Sequence, residues 1–117
     1  PDRIGVWGTS AGGHLVSMLG TSAGVAELDG KLGSHSHISS SVACVVDGYG
    51  PTNFLTMNKT AIPSARMDHD APDSPESKLI GGPIQANPKR ANAVNPITYV
   101  NSGDAPFLIL HGTHDCS

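Results

Sequence analysis

The chain has 117 residues, a length that suits one small domain. Seven Lys and Arg against ten Asp and Glu give a formal net charge of −3, and Lys89-Arg90 is the one adjacent basic pair, so neither nucleic acid nor an anionic membrane surface is an expected partner. No apolar run approaches the roughly 20 residues of a membrane span, and two cysteines are too few for a disulfide framework.

A short apolar run, residues 3–8, predicts a buried strand that ends at Gly8. Gly8 also begins the motif G-x-S-x-G, whose serine is Ser10. A serine hydroxyl is a poor nucleophile, and a sharp strand-to-helix turn between glycines can hold it out at the end of the strand. The apolar run before the motif and the helical pattern after it favour a catalytic Ser10 over the alternative, a plain loop that leads into a helix.

A helix is predicted over residues 11–25, because residues of one helical face recur there. These are Ala11, Leu15, Met18, Leu19 and Ser22. Gly20 and Gly24 should each weaken this helix by roughly 1 kcal/mol relative to alanine, and we expect close packing of the helix on the sheet to offset that cost. The first amides of the helix would face a developing oxyanion, so the backbone amide of Ala11 is an expected oxyanion donor.

Two histidine-containing stretches carry residue types that bind metal ions. His35 and His37 alternate in the polar stretch 29–41, and residues 68–70 read Asp-His-Asp. Neither stretch has further ligands placed to complete a coordination sphere. We therefore expect solvated polar loops at both places, with no metal and no cofactor.

The next apolar run, residues 41–46, predicts a second buried strand, with Cys44 as a small buried hydrophobic residue. The other cysteine, Cys116, lies in a loop near the opposite end of an adjacent strand. We expect the two not to pair.

The loop 47–54 leaves the carboxyl end of this second strand. In an open parallel sheet the loops at that edge carry the ligand, so the loop should lie near Ser10. Thr52 or Asn53 is predicted to cap a helix that begins here.

Residues 55–105 contain no further obvious strand, and they form most of the long segment 52–105. Helical patterns at 75–80 and 88–93 have Ser74 and Asn87 as expected N-caps. Connections of this length are usually functional or mobile. We predict that the segment is an insertion over the carboxyl edge of the sheet and forms part of a cap that covers the substrate.

A third buried strand is predicted at residues 107–110, and three such strands joined by helix-bearing connections indicate an α/β fold with a mostly parallel sheet. Asp115 follows this strand at the same sheet edge as Ser10. Where a G-x-S-x-G serine follows a strand in this way, the triad runs in the order serine, acid, histidine, so Asp115 is the expected acid. Asp47, which also ends a strand, is the alternative.

No histidine of the chain can be assigned as the base. His111 and His114 are too close to Asp115 in sequence for the usual geometry, in which the histidine comes from a later loop. His14 would point along the helix and away from the Ser10 hydroxyl. We expect His14 to make a structural polar contact beside the turn.

Residues 10–15, Ser-Ala-Gly-Gly-His-Leu, resemble the nucleophile elbow of α/β-hydrolase esterases. The similarity is greatest to bacterial carboxylesterases of the feruloyl-esterase-like and hormone-sensitive-lipase-like groups. Residues 74–83, and residues 95–100 followed by 106–115, resemble the same enzymes, so most of the chain is covered. The resemblance implies an α/β-hydrolase fold, an acid at Asp115 within H-G-x-x-D, and no organic cofactor.

The same resemblance implies that residues 1–117 are a partial domain truncated at both ends. It assigns the first strands, the second oxyanion donor, the last strand and the triad histidine to other sequence, so this chain alone is expected to be inactive. Its expected partners are a small-molecule ester, touching Thr9 and Pro51, and the remainder of the same polypeptide or an associated chain. Cytoplasmic and secreted bacterial locations both stay open.

The activity that the resemblance implies is hydrolysis of short acyl or hydroxycinnamoyl esters through an acyl-enzyme. Two alternatives remain at this stage. A serine peptidase of the same fold would carry the same elbow, and an inactive fragment or a non-catalytic binding protein would need no base. The intact Ser10 argues against a binding protein.

Overall fold

A parallel three-stranded sheet forms the middle of the fold, and the computed structural model describes residues 3–115. The strands are β1 (Gly5–Thr9), β2 (Cys44–Gly48) and β3 (Phe107–Leu110). They lie side by side in the order β1-β2-β3, with Val46 of β2 opposite Trp7 on one side and Leu108 on the other. The predicted parallel α/β arrangement is confirmed. β3 has the predicted bounds, whereas the bounds of β1 and β2 are shifted by one to three residues.

Only the middle strand is largely buried, whereas all three were expected to be. Val45 of β2 is 1% exposed, but Trp7 of β1 and Leu108 of β3 are 72% and 54% exposed. The reason is that β1 and β3 are the outer strands, and the one long helix packs against β1 and β2. Cys44, expected to be buried, is an exposed free thiol at the start of β2, and Cys116 lies outside the described residues.

The long helix α1 (Ala11–Thr21) ends four residues earlier than predicted. Its buried face is also a different one: it consists of Gly13, His14, Ser17, Gly20 and Thr21. Leu15, predicted to face the core, is 64% exposed. Small and polar side chains form the buried face because the helix lies too close to the sheet for larger ones. Gly24 lies beyond the helix with a φ of 81°, before the short helix α2 (Ala26–Asp29).

Close packing of α1 on the sheet was predicted at Gly20, and the structure confirms it. A Cβ atom at Gly20 would lie 2.5 Å from Val45 Cγ2 and 2.7 Å from Phe107 Cζ. We expect Gly20→Ala to lower the free energy of unfolding by about 1–3 kcal/mol through overpacking, although alanine is the better helix former. Urea unfolding of the full-length protein measures this change in the free energy of unfolding.

Gly12→Ala is the matched control for Gly20→Ala, since a Cβ there would have nothing within 4 Å in the same helix. It should leave the urea midpoint unchanged or raise it. Equal midpoints for the two variants would contradict the packing argument.

The connection between β2 and β3 carries three short helices and two 3₁₀ turns. The helices are α3 (Met57–Thr60), α4 (Pro75–Ile80) and α5 (Pro88–Ala93), and the turns are Ile84–Ala86 and Pro96–Thr98. The described part of the connection contains no strand, as predicted. In residues 3–115, no helix combines the length and apolar character needed to cross a membrane.

One of the two N-caps predicted in this connection is present and the other is not. Ser74 caps α4 as expected, because its hydroxyl accepts a hydrogen bond from the Ser77 amide at 3.0 Å. Asn87 precedes α5, but its side-chain amide donates to the Pro83 carbonyl instead of capping the helix.

The helix start predicted at Thr52 or Asn53 is wrong. The first helix of the connection begins at Met57. The Asn53 side chain instead accepts a hydrogen bond from the Leu55 amide at 3.1 Å. A short polar side chain that bonds the backbone two residues on stabilises a turn in place of a helix.

A small core of its own holds the connection together. Phe54, Ile80, Ile84 and Ala91 form this buried cluster. Asn95 is fully buried beside it and accepts a hydrogen bond from the Phe54 amide at 3.0 Å. This contact ties the end of the connection back to its beginning, next to the carboxyl edge of the sheet.

Candidate active site

Ser10 occupies the turn between β1 and α1 with a strained backbone. Its φ is 52° and its ψ is −123°, a conformation that costs a non-glycine residue about 1–3 kcal/mol and that tends to occur at functional sites. Two hydrogen bonds hold it: its amide donates to the Gly48 carbonyl at 2.9 Å, and its carbonyl accepts from the His14 amide at 3.0 Å. This is the strand-turn-helix geometry that exposes the serine of a G-x-S-x-G motif.

Glycine is required at two positions around this turn. A Cβ at Gly8 would lie 2.2 Å from the Gly12 carbonyl oxygen, and one at Gly13 would lie 2.3 Å from Asp47 Oδ1. Both distances are far below van der Waals contact. At Gly12 a Cβ would have nothing within 4 Å, so packing does not require glycine there.

A cleft of about 830 Å³ lies at the carboxyl edge of the sheet, within the usual size of small-molecule sites. Four expected site residues line it together: Ser10, Ala11, Pro51 and Asp115. Ala11 is the first residue of α1, so its amide has no acceptor within the helix. Thr9 ends β1 and is not among the residues that line the cleft.

Asp47, the alternative acid, is committed to structural hydrogen bonds. It is 1% exposed. Its Oδ2 accepts from the Ser17 hydroxyl and its Oδ1 from the Gly50 amide, both at 2.9 Å. Asp47 thus ties α1 to the loop after β2, and this engagement favours Asp115 as the acid.

Asp115 contacts a histidine within the chain. Its Oδ2 lies 3.3 Å from Nε2 of His111, four residues earlier. The His111 side chain is 54% exposed, and an ion pair in that setting contributes little to stability. The turn between them brings the two side chains together. The prediction that the base comes from a later loop stays a prediction.

His14 makes the structural contact expected of it. It is 5% exposed, its Nε2 lies 2.7 Å from the Val94 carbonyl oxygen, and its ring stacks on Phe54 at 5.0 Å between centroids. It therefore fastens the turn after β1 to the connection between β2 and β3.

Tyr49 is a cleft residue that the sequence did not single out. It has a φ of 47° and, apart from Ser10, is the one non-glycine residue of the described chain with a positive φ. Its amide donates to the Leu110 carbonyl at 2.7 Å. The neighbouring glycines, Gly48 and Gly50, were the only sequence signal that the backbone is unusual here.

His69, expected in a solvated loop, is instead 4% exposed in the wall of the cleft. Its Nδ1 lies 3.1 Å from Oε1 of Glu76, which is also buried. The preceding residue, Asp68, does stay in solvent, where hydrogen bonds from the Asn58 amide and the Asp70 backbone hold the pKa of Asp68 below its usual value. No pattern in the sequence marked the middle residue of Asp-His-Asp as the buried one.

The histidines of the loop after α2 stay exposed. His35 and His37 lie with ring centroids 6.2 Å apart. Across residues 3–115, no three or more His, Cys, Asp and Glu side chains are grouped so that they could hold a metal ion.

The family assignment follows from comparison with known proteins. Residues 1–117 match the family model BD-FAE over their whole length. The chain belongs to the BD-FAE family. The elbow at Ser10 and the parallel sheet behind it are therefore features of a BD-FAE member with the α/β-hydrolase fold.

Relatives of this BD-FAE chain carry esterase names. It is 31% identical to Esterase LipC and 30% identical to Esterase LipQ, both of Mycobacterium tuberculosis, over 97% and 98% of its length. Among solved structures, "Truncated form of carbohydrate esterase from gut microbiota" matches 96% of the chain with a TM-score of 0.82 and 31% identity. The chain spans 26% of LipC, 25% of LipQ and 41% of the solved structure.

Proposed function

We propose that the protein carrying this BD-FAE chain is a serine carboxylic-ester hydrolase that works through an acyl-enzyme on Ser10. The observation that carries the proposal is the strained Ser10 backbone, with φ of 52°, at the edge of a cleft that Asp115 also lines. Strain of this kind persists only where the surrounding structure fixes it, and it is typical of catalytic turns. The esterase names of the relatives support the same chemistry.

In the proposed reaction, Ser10 Oγ attacks the ester carbonyl while a histidine base takes its proton. The Ala11 amide donates a hydrogen bond to the resulting oxyanion. The tetrahedral intermediate collapses with loss of the alcohol, which receives the proton from the histidine. Water then cleaves the acyl-enzyme by the same steps, and Asp115 holds the histidine in the required tautomer throughout.

The base and the second oxyanion donor come, in this proposal, from sequence outside residues 1–117. His14 is committed to the Val94 carbonyl, and His111 is a mostly exposed side chain of the acid loop. The remaining polypeptide, or an associated chain, is therefore the partner that completes the site.

The proposed substrates are esters of short acyl or hydroxycinnamoyl groups. The cleft volume of about 830 Å³ accommodates molecules of that size. The segment 52–105 would act as a cap: its residues Met57, Met67 and Leu79 line the cleft and offer apolar contact surface.

A fluorophosphonate probe tests the serine mechanism directly. The full-length protein should gain the mass of one probe adduct, and the adduct should map to the peptide that contains Ser10. Ser10→Ala should gain none. An adduct that persists in Ser10→Ala, or an unlabelled wild type, would overturn the proposal. Parallel assays on p-nitrophenyl acetate and a p-nitroanilide should show ester cleavage alone, against the peptidase alternative.

A further inference from the structure

His69 lies in the wall of the cleft with nearly all of its polar atoms engaged. Its amide donates to Asn58 Oδ1 at 2.9 Å, and its carbonyl accepts from the Ser74 hydroxyl at 2.8 Å. Its ring Nδ1 lies 3.1 Å from Glu76 Oε1. The one polar atom left is the ring Nε2, which has no hydrogen bond to any residue in the range 3–115.

The contact with Glu76 orients the His69 ring. An ionised carboxylate only accepts hydrogen bonds, so a hydrogen bond to Glu76 Oε1 uses a proton on Nδ1. Nε2, on the other side of the ring, then has a fixed direction. A carboxylate that orients a histidine in this way is a common support for a functional imidazole.

The His69–Glu76 pair is nearly buried, and the buried polar atom of the pair without a partner in residues 3–115 belongs to Glu76. His69 and Glu76 are 4% and 9% exposed, and Glu76 Oε2 is buried without a partner among the described residues. Buried polar atoms in folded proteins are nearly always hydrogen-bonded, since an unmade bond is costly. Met67 and Leu79 line the same cleft as the pair and offer apolar surface there. A few fixed polar groups in an apolar wall are what orient a ligand in such sites.

We propose that His69 Nε2 forms a hydrogen bond with a hydroxyl group of the substrate, with Glu76 as the residue that positions the ring. A hydroxyl both donates and accepts, so it pairs with either protonation state of the ring. The inference rests on the proposed esterase function and adds a specificity determinant to it. The hydroxyl belongs either to a polyol or sugar on the alcohol side of the ester, or to a phenol on the acyl side. Both sources offer the same hydroxyl group, and the experiment separates them.

Two substitutions at His69 separate ligand binding from a purely structural role. His69→Asn puts an amide where Nδ1 stands, keeps a donor for Glu76 and removes Nε2. His69→Gln puts its amide near the position of Nε2 and gives up the contact with Glu76. If His69 has a structural role alone, His69→Asn should keep the selectivity of the wild type and His69→Gln should lose it. The proposal predicts that His69→Asn loses the selectivity and His69→Gln keeps it. His37→Asn, in an exposed loop, is the matched control.

The first readout is measured on the full-length protein with two pairs of substrates. For each pair it is the kcat/KM of the substrate with the hydroxyl group divided by that of the substrate without it. The pairs are glycerol monoacetate against ethyl acetate, and methyl 4-hydroxycinnamate against methyl cinnamate. His69→Asn should lower one of these ratios about two- to tenfold, as expected for one hydrogen bond, mainly through KM. His69→Gln should keep most of the wild-type ratio, and His37→Asn should leave the ratio unchanged. The pair that responds identifies the source of the hydroxyl.

Direct binding keeps the inference separate from the proposed reaction. NMR titration with methyl β-D-glucopyranoside and with 4-hydroxycinnamamide requires no ester cleavage. His69→Asn should raise the dissociation constant of one of the two ligands about two- to tenfold relative to the wild type. If the protein hydrolyses no ester but this dependence holds, the esterase proposal fails and the binding role stands. If neither the ratios nor the dissociation constants depend on His69, the inference is wrong.

Discussion

Ser10→Ala should lower kcat for p-nitrophenyl acetate by a factor on the order of 10⁶, as loss of the nucleophile does in other serine hydrolases. The alanine variant cannot form the acyl-enzyme, and the histidine base has no hydroxyl to deprotonate. What remains is transition-state stabilisation by the oxyanion donors, which still exceeds the uncatalysed rate. Steady-state kinetics on the full-length protein measures the loss of kcat. The urea midpoint, measured in parallel, shows whether the variant is folded.

Ser22→Ala serves as the control for Ser10→Ala. Ser22 follows the last residue of α1 and does not line the cleft, so kcat should stay close to that of the wild type. A Ser10→Ala variant that is folded and retains most of the wild-type kcat would show that Ser10 is a turn residue only. In that case the strain at Ser10 would need another explanation.

Asp115→Asn should lower kcat by a factor on the order of 10⁴ without unfolding the protein, because an amide in place of the acid favours the wrong tautomer of the histidine base. The side chain of Asp115 is 25% exposed, so the isosteric amide is tolerated at its position. The same kinetic assay measures the effect, and KM should change much less than kcat.

Asp47→Asn distinguishes the two candidate acids. Asp47 is buried and accepts hydrogen bonds from Ser17 and Gly50, so its amide variant should lower the free energy of unfolding by about 1–3 kcal/mol. Its effect on kcat should be far smaller than that of Asp115→Asn. The reverse order of the two kcat effects would move the acid to Asp47.

His111→Gln locates the base. The proposal expects a modest loss of kcat, since His111 only neighbours Asp115 in the acid loop. A loss as large as that of Ser10→Ala would make His111 the base and would overturn the assignment of the base to sequence outside residues 1–117.

Local sequence signals predicted the elements that depend on nearby residues. Ser74 followed by Pro75 marks the start of α4, because both the cap and the fixed proline φ act within one turn. The apolar run 107–110 marks β3, and the G-x-S-x-G motif marks the turn at Ser10. Asn53 shows the limit of such signals: its side chain can cap a helix or hold a turn, and the fold selected the turn.

The sequence by itself determined the α/β class, the elbow at Ser10 and the position of Asp115 at the same sheet edge, because short-range patterns and the order of elements suffice for these. Only the tertiary structure decided which side chains are buried. The buried face of α1, the commitment of Asp47 to Ser17, and the His69–Glu76 pair in the cleft all depend on distance between elements. The physical reason is that burial and hydrogen-bond partners are set by close packing of segments far apart in the chain, and no local pattern encodes that distance.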